Sequence, residues 1–153
     1  MIFEKKIVGF YQSVINGRAD DTGAVHYFTH GDFDGLCALP YEFVGAHGQR
    51  LVGAFYYYGN MSADRIVIFE HGMGGGHLSY MKEIEKLASH GYTVLSYDHT
   101  GCMQSEGDGI GGFAESLSNL DSLIKSLKAD ERYKNHKISV IGHSWGCFTP
   151  IPR

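Results

Sequence analysis

The pentapeptide GHSWG near the end of the chain sets a serine between two glycines in the pattern G-x-S-x-G. It follows the apolar run KISVI, and a buried strand that ends in a sharp turn is the context in which such a serine projects its hydroxyl outward. Gly142 and Gly146 keep side chains out of the turn, and His143 lies within it. The pattern predicts Ser144 as a nucleophile and the backbone N–H of Trp145 as a donor to the oxyanion of acyl transfer.

A second stretch, HGMGGG, begins at His71 and could supply the other oxyanion donor. Acyl transfer needs two N–H groups that converge on the developing negative charge, and a glycine-rich turn after a strand lets the backbone approach without obstruction. We assign the second donor to the backbone of Met73, with Gly74 as the alternative. We expect His71 and Gly72 to support the loop.

The elements that must position these residues follow a regular alternation. Three short apolar runs, RIVIFE, YTVLSYD and KISVIG, are separated by segments of helical period, which predicts parallel strands joined by helices. Residues 41–59 instead contain two β-branched and aromatic runs around AHGQ, which predicts an antiparallel hairpin. The predicted fold class is α/β with a mostly parallel sheet, and functional atoms are expected at the carboxyl ends of its strands.

The first predicted helix runs from His77 to His90, and Gly91 follows it as a stop signal. The apolar positions of the second helix are Phe113, Leu117, Leu120, Ile124 and Leu127. The first forty residues are rich in Gly and Asp and show no sustained period, so irregular or weakly stranded structure is expected there. A chain of 153 residues without a linker is predicted to be one domain.

In this order and spacing, the hairpin and the three loop motifs resemble the N-terminal half of an α/β-hydrolase of the serine aminopeptidase, esterase and monoacylglycerol-lipase-like type. The resemblance covers residues 41–147. It implies that Ser144 attacks a carboxylic ester to form an acyl-enzyme, with the Met73 and Trp145 amides as the oxyanion hole. Amide and thioester substrates stay open.

The middle motif of that family usually reads D-x-R-G-x-G-x-S. In this chain Asp98, Gly101 and Ser105 match, whereas Thr100 replaces the arginine and Met103 replaces the second glycine. The motif is mostly structural in the family, so Asp98 is expected to support its loop rather than to react.

The residues that would move protons are missing from the expected places. Relatives place the acid and the histidine of the triad after the serine, but all nine histidines of this chain precede Ser144. We expect His71 and His143 to buttress their loops, and His99 lacks an evident acid to orient it. The chain is therefore expected to be a single incomplete domain, truncated after the nucleophile elbow, with little or no activity alone.

Two other functions are compatible with parts of the pattern. A dinucleotide-binding module would place Asp98 on a ribose, but His77 then stands where the third glycine of the fingerprint belongs. A non-catalytic protein that keeps the α/β-hydrolase fold for binding would explain the missing acid and base. An NAD(H) titration tests the first of these alternatives, and a serine-reactive probe tests the second.

Composition excludes several classes of partner. The net charge of −4 is spread over the chain without a run of like charges, which argues against a nucleic-acid surface. No signal peptide or membrane span is predicted, and three cysteines without C-x-x-C spacing suit the cytoplasm. We expect a small-molecule acyl substrate and neither a cofactor nor a metal, and the sequence leaves the oligomeric state open.

Overall fold

The computed structural model describes residues 2–149, and it describes side chains from residue 5 onwards. Three single 3₁₀ turns, at His30–Asp32, His77–Tyr80 and Ser144–Phe148, accompany the longer elements. The helices and strands, in chain order, are α1 (Ile2–Ile15), β1 (Leu36–Val44), β2 (Arg50–Tyr58), β3 (Arg65–Glu70), α2 (Met81–Ser89), β4 (Val94–Tyr97), α3 (Gly112–Ala129) and β5 (Lys137–Gly142).

The five strands form one mixed sheet in the order β1-β2-β4-β3-β5. Strand β3 lies between β4 and β5 and pairs in parallel with both, whereas β2 pairs antiparallel with β1 and with β4. Helix α2 connects β3 to β4, and α3 connects β4 to β5. The predicted α/β class, with an antiparallel hairpin beside parallel strands, is confirmed.

Each face of the sheet is covered by one of these two helices. One buried cluster joins the side chains of α3 to the sheet through residues such as Phe55 and Leu95, and the other joins α2 to the opposite face through Tyr56 and Phe69. Neighbouring residues of β2 therefore enter different clusters, because successive side chains of a strand point to opposite faces. A central strand buried on both sides reads as a continuous apolar run.

The predicted hairpin is confirmed, although it begins earlier than expected. Strand β1 starts at Leu36 rather than at Tyr41, and it pairs with β2 over nine residues, from Leu36 opposite Tyr58 to Val44 opposite Arg50. The Gly45 amide donates to the Gln49 carbonyl at 2.8 Å and closes the turn.

The two predicted helices are also present. Met81, Ile84 and Ala88 of α2 are buried as expected. In α3 the buried face differs from the predicted one, because Leu123 joins Leu120 and Leu127 in the core while Phe113 is 38% exposed. Phe113 instead contacts aromatic residues that follow β5, which the helical period alone does not reveal.

The first forty residues contain more structure than the sequence predicted. Helix α1 occupies Ile2–Ile15, and the segment after it forms a parallel bridge between Ala19 and Cys102. The helix contributes little to the domain core, and its side chains are exposed from Lys5 to Ser13. Among the residues described, no helix is long and apolar enough to cross a membrane.

Strand β5 is the outermost strand of the described sheet on its side. It pairs with β3 alone, and its side chains alternate between half-buried and exposed, with Ile141 43% exposed. Its backbone groups on the other side have no strand partner within residues 2–149.

Candidate active site

The loops that follow β3, β4 and β5 meet at the carboxyl edge of the parallel strands, where the predicted site residues come together. A cavity of about 10 Å³, roughly enough for one water molecule, lies where the three loops meet. It is lined by His71, Gly72, Met73, Gly74, His99, Cys102, Ile110, Ser116 and Trp145. The two residues predicted to donate to an oxyanion, Met73 and Trp145, therefore border the same small space.

The turn after β5 has the geometry expected of a nucleophile elbow. Ser144 is exposed and has a φ of 54°, which is a left-handed conformation that non-glycine residues rarely adopt. A Cβ on Gly142 would collide with the carbonyl of Gly146, and a Cβ on Gly146 would collide with the backbone carbonyls of Glu70 and His71. Both glycines are required because the turn packs directly against the end of β3.

The loop after β3 leaves a backbone donor free. Gly74 has a φ of 75°, and the Gly75 amide donates to the Gly72 carbonyl at 3.2 Å, which closes the turn. Among residues 2–149, the amide N–H groups of Met73 and Trp145 have no hydrogen-bond acceptor. Two free N–H groups beside one small cavity are the arrangement that an oxyanion hole needs.

One tyrosine joins this loop to the elbow. The Tyr80 hydroxyl accepts a hydrogen bond from the Gly72 amide at 3.1 Å and lies 2.9 Å from Nδ1 of His143. Because the Gly72 N–H is the donor in the first bond, the hydroxyl hydrogen is free to be donated to His143. Sequence reasoning missed Tyr80, since nothing in the spacing of HLSY marks a residue that contacts a turn 63 residues later in the chain.

His71 is held as a neutral imidazole inside the loops. Its Nδ1 lies 2.8 Å from the Gly72 carbonyl and its Nε2 accepts from the His99 amide at 3.0 Å, so Nδ1 carries the proton. Burial, reinforced by the neighbouring His99 ring, lowers the pKa of His71 to about 3. With both nitrogens engaged, His71 links two loops and has no lone pair left to act as a base.

Asp98 is similarly committed to loop structure. Its Oδ1 accepts from the backbone N–H and Nδ1 of His77, at 2.8 and 2.7 Å, and its Oδ2 accepts from the Gln104 amide at 3.2 Å. Burial opposes ionisation, but the hydrogen bonds from His77 and Gln104 outweigh it and hold the pKa of Asp98 below its usual range. Asp98 is 1% exposed and three of its hydrogen bonds already hold the loop, so its carboxylate is poorly placed to bind a ribose, which argues against the dinucleotide-binding alternative.

The expectation that His99 has no acid beside it is wrong. Nε2 of His99 lies 3.2 Å from Oε2 of Glu70, and the two side chains are 4% and 0% exposed. The Tyr97 hydroxyl also donates to the same carboxylate oxygen at 3.3 Å. The signal in the sequence was the charged residue that ends the apolar run RIVIFE, because a buried strand seldom carries a glutamate without a partner.

The side chain of Trp145 anchors the elbow to α3. Its indole Nε1 donates to Ser116 Oγ at 2.6 Å, and its ring stacks on Phe113 with 3.9 Å between the ring centroids. Phe148 lies 4.5 Å from the same Phe113 ring. The N-terminal end of α3 is thus fixed to the turn that carries Ser144.

The departures from the family's middle motif have local explanations. Where that motif has an arginine, the Thr100 hydroxyl donates to Oε1 of Glu115 at 2.8 Å and accepts from the side-chain amide of Asn119 at 2.9 Å. Where it has a second glycine, Met103 has a φ of 44°, so the backbone keeps the conformation that glycine favours.

No group of three or more histidine, cysteine, aspartate or glutamate side chains within residues 2–149 is arranged to hold a metal ion. The three cysteines are free thiols, and burial raises the pKa of Cys102 to about 12. Cys37 is half-buried and Cys147 is exposed.

Comparison with known proteins relates this geometry to one family. A family model described as serine aminopeptidase, S33 matches residues 61–151. No curated protein sequence matches the chain.

Solved structures share the fold. The esterase Pf2001 of Pyrococcus furiosus superposes with a TM-score of 0.70 at 27% identity, over 82% of this chain and 49% of the esterase. The epoxide hydrolase VrEH1 of Vigna radiata gives a TM-score of 0.55 at 20% identity, over 76% of this chain and 33% of that one. Epoxide hydrolase A of Mycobacterium thermoresistibile gives 0.57 at 22% identity, over 74% and 33%. The chain spans about half the length of the esterase that it resembles.

Proposed function

The chain belongs to the serine aminopeptidase S33 family, and on that basis we propose that Ser144 is the nucleophile of a serine hydrolase that acts on carboxylic esters. Ser144 Oγ attacks the ester carbonyl carbon, and the Met73 and Trp145 amides hold the resulting oxyanion. The alcohol leaves with a proton, and water then releases the acid from the acyl-enzyme.

The backbone at Ser144 is the observation that carries this proposal. A serine with a φ of 54° stores strain, and such strain persists only where the surrounding structure forces it. Here the constraint comes from Gly142 and Gly146, neither of which could bear a Cβ without a backbone collision. A turn that serves only to lead the chain out of β5 has no need of that conformation.

We propose further that the general base and its acid come from residues outside this chain. The nearby histidines are already engaged: His71 at both nitrogens, His77 with Asp98, and His143 with Tyr80. His99 is buried with Glu70 rather than presented to the exposed Ser144. A match to half the length of the esterase is consistent with this division of the site.

A site with a nucleophile and an oxyanion hole but no base is expected to react slowly. Serine hydrolases that have lost their triad keep a residual acceleration of roughly 10³ to 10⁴ over water. Hydroxide can replace the missing base, so acylation of Ser144 should become faster as pH rises.

A fluorophosphonate probe tests the nucleophile. Intact-mass spectrometry at pH 7 and pH 9 should find a single phosphonyl adduct, formed faster at pH 9, and peptide mapping should locate it on Ser144. Ser144→Ala should abolish the adduct, whereas Ser139→Ala, which changes an exposed serine of β5, should leave it unchanged.

The opposite result is equally informative. Equal labelling of the wild type and of Ser144→Ala, or no adduct at pH 9, would exclude Ser144 as the nucleophile and favour the non-catalytic alternative. The source of the base is tested separately by sequencing downstream of codon 153, where we expect a frame that encodes a further Asp and His on an α/β pattern.

A further inference from the structure

Glu70 and His99 form a buried pair whose hydrogen-bonding capacity is largely unused. Among side chains 5–149, the buried nitrogen and oxygen atoms without a hydrogen-bond partner are Oε1 of Glu70 and both ring nitrogens of His99. Buried polar atoms in folded proteins almost always have a partner. Three exceptions in two adjoining residues therefore need a physical reason at this place in the molecule.

The two side chains are in contact without an aligned hydrogen bond. Nε2 of His99 lies 3.2 Å from Oε2 of Glu70, which is close enough for an ion pair, but no ring N–H is aligned with that oxygen. The Tyr97 hydroxyl donates to the same oxygen at 3.3 Å. That bond favours the ionised carboxylate, and a carboxylate buried this completely needs a positive charge beside it. The charges therefore fit a Glu70 carboxylate paired with a His99 imidazolium.

His99 borders the small cavity between the loops, whereas Glu70 does not. The ring lines the cavity of about 10 Å³ together with Met73 and Trp145, the two residues whose amides are free. Glu70 is absent from that lining and is 0% exposed. The positive member of the pair thus faces the cavity side, and the negative member lies behind it.

No neighbouring side chain uses the ring nitrogens of His99. The ring packs edge-on against the rings of His71 and Tyr97, with 4.3 and 5.0 Å between centroids. His71 is engaged at both of its own nitrogens, and the Tyr97 hydroxyl is donated to Glu70. Nδ1 of His99 is therefore available to an atom that enters the cavity.

A single oxygen atom with negative charge is the ligand that fits this cavity. The volume matches one water molecule, and the free N–H groups of Met73 and Trp145 are hydrogen-bond donors, as is the protonated ring of His99. Buried donors that share no acceptor favour an oxygen that carries negative charge. The tetrahedral intermediate of ester hydrolysis presents such an oxygen.

We propose that His99 is a third oxyanion-stabilising residue beside the Met73 and Trp145 amides, and that Glu70 is the positioning residue that keeps its ring charged. This assignment rests on the function proposed above. The proton stays on His99 throughout, so the ring is not the general base. Glu70 does not contact the oxyanion, so it acts only through His99.

The expected rate effect is smaller than that of a dedicated oxyanion donor. Removal of one such donor slows catalysis by about 10²–10³. Here the carboxylate of Glu70, 3.2 Å from the ring, offsets part of the positive charge at the oxyanion. We therefore expect His99→Gln to slow fluorophosphonate labelling of Ser144 about tenfold.

The two residues should behave as a unit. Glu70→Gln should also slow labelling about tenfold, because a buried ring without its counter-ion loses its charge. The double variant, Glu70→Gln with His99→Gln, should be slowed about tenfold as well, rather than the roughly hundredfold of two independent effects. It contains no unpaired buried charge, so it decides the question if either single variant fails to fold.

Two variants at the other end of the sheet are the controls. Thr93 is buried, and its hydroxyl accepts from the Ser62 amide at 2.7 Å, so Thr93→Val should lose stability in urea but label at the wild-type rate. His136 precedes β5, and its ring lies 3.1 Å from the Ser62 carbonyl. His136→Gln should label like the wild type, which controls for the loss of a histidine ring.

Nitrogen-15 NMR of the histidine rings tests the charge without reference to Ser144. At pH 7 the wild type should show a His99 ring protonated at both nitrogens, and Glu70→Gln should show a neutral one. The absence of the signal in His99→Gln identifies it. As pH rises, the rate advantage of the wild type over His99→Gln should disappear where the ring loses its second proton. A merely structural role would leave that ratio constant.

The other titratable groups around the pair keep one charge state between pH 7 and pH 9. Burial lowers the pKa of His71 to about 3 and raises the pKa of Cys102 to about 12. Burial also raises the pKa of Tyr97 well above its usual value. Burial opposes ionisation of Asp98, but hydrogen bonds from His77 hold its pKa below the usual range. A change in the rate ratio therefore reports on Glu70 and His99.

The outcomes separate this proposal from the function on which it rests. A His99 ring that is neutral at pH 7 in the wild type would overturn the proposal. Equal labelling of Ser144 in the wild type and the double variant would also overturn it, while leaving Ser144 as the nucleophile. A wild type that is not labelled on Ser144 at pH 9 would reject the proposed function and the oxyanion role together.

Discussion

The hydroxyl oxygen of Tyr80 lies 2.9 Å from Nδ1 of His143, so a residue at the start of α2 reaches the turn that carries Ser144. The same oxygen accepts from the Gly72 amide, which is buried. One side-chain oxygen therefore fixes the separation between the loop that holds Met73 and the elbow that holds Trp145.

Replacing Tyr80 with phenylalanine should separate the two loops. The Gly72 N–H would lose its acceptor, so we expect the free energy of unfolding to fall by about 1–2 kcal/mol. Labelling of Ser144 by a fluorophosphonate should also become slower. Urea unfolding and labelling rates check both effects, and Tyr92→Phe, an exposed tyrosine, should change neither. Unchanged labelling in a destabilised Tyr80→Phe would limit the tyrosine to a structural role.

Gly146→Ala should damage the elbow more severely. The new methyl group would meet the backbone carbonyls of Glu70 and His71, and backbone atoms at the end of a central strand cannot move aside cheaply. We expect a loss of at least about 2 kcal/mol in unfolding free energy and no detectable labelling of Ser144. Gly9→Ala is the control, because a Cβ at Gly9 has open space within α1 and should stabilise the helix slightly. Wild-type labelling by Gly146→Ala would show that the close packing is not required.

Stability should fall in mildly acidic solution because of His71. The folded chain holds this ring neutral with a pKa of about 3, whereas the unfolded chain protonates it near pH 6.5. The stabilisation of the folded chain that depends on neutral His71 is complete above pH 6.5. It is lost as pH falls towards 3, at about 1.4 kcal/mol per pH unit. Urea unfolding at pH 7 and pH 5 should therefore differ by about 2 kcal/mol from this group.

His71→Gln should flatten that dependence while lowering stability at pH 7. The exposed His26 provides the control, because His26→Gln should keep the wild-type slope. Asp98 does not confound the comparison. Its lowered pKa confines its own loss of stability to pH values below about 4, as the carboxylate protonates. A pH slope that survives in His71→Gln would assign the effect to another group.

The outer edge of β5 should promote self-association. Its backbone groups lack a partner strand among residues 2–149, and the exposed Ile141 adds an apolar contact. We expect Ile141→Lys to raise the concentration at which the chain associates by at least about tenfold, since a lysine on an edge opposes pairing. Sedimentation velocity over a concentration series measures this. Val25→Lys, at an exposed loop position, should associate like the wild type. If the wild type, Ile141→Lys and Val25→Lys all associate equally, the contact between chains does not involve the edge of β5.

The elements of the central fold could be predicted because their signals are local. The runs RIVIFE and KISVIG carry strand composition, Met81, Ile84 and Ala88 carry helical period, and the glycines of GHSWG mark a close approach. The same local patterns pointed to Ser144 and to the loop around Met73. The assignment of these residues to catalytic roles stays a prediction until the labelling experiment is done.

The parts that could not be predicted depend on contacts between distant residues. Tyr80 with His143 and Glu70 with His99 are pairs brought together by strand order, which periodicity does not report. Helix α1 was not predicted for a different reason. Its spacing of Ile7, Phe10 and Tyr11 is readable, but the Gly and Asp content of the following residues obscured it.

Helix α1 is held to the domain by noncovalent contacts as well as by the peptide chain. Residues 20–26 are exposed, so chymotrypsin at Tyr27 or Phe28 could cut the chain between the helix and β1. Residues 15–19, however, are bound to the loop after β4 by four backbone hydrogen bonds and by the Arg18 guanidinium. A cleaved protein should therefore retain its N-terminal peptide under native conditions and release it only in denaturant, and gel filtration before and after urea would reveal the difference.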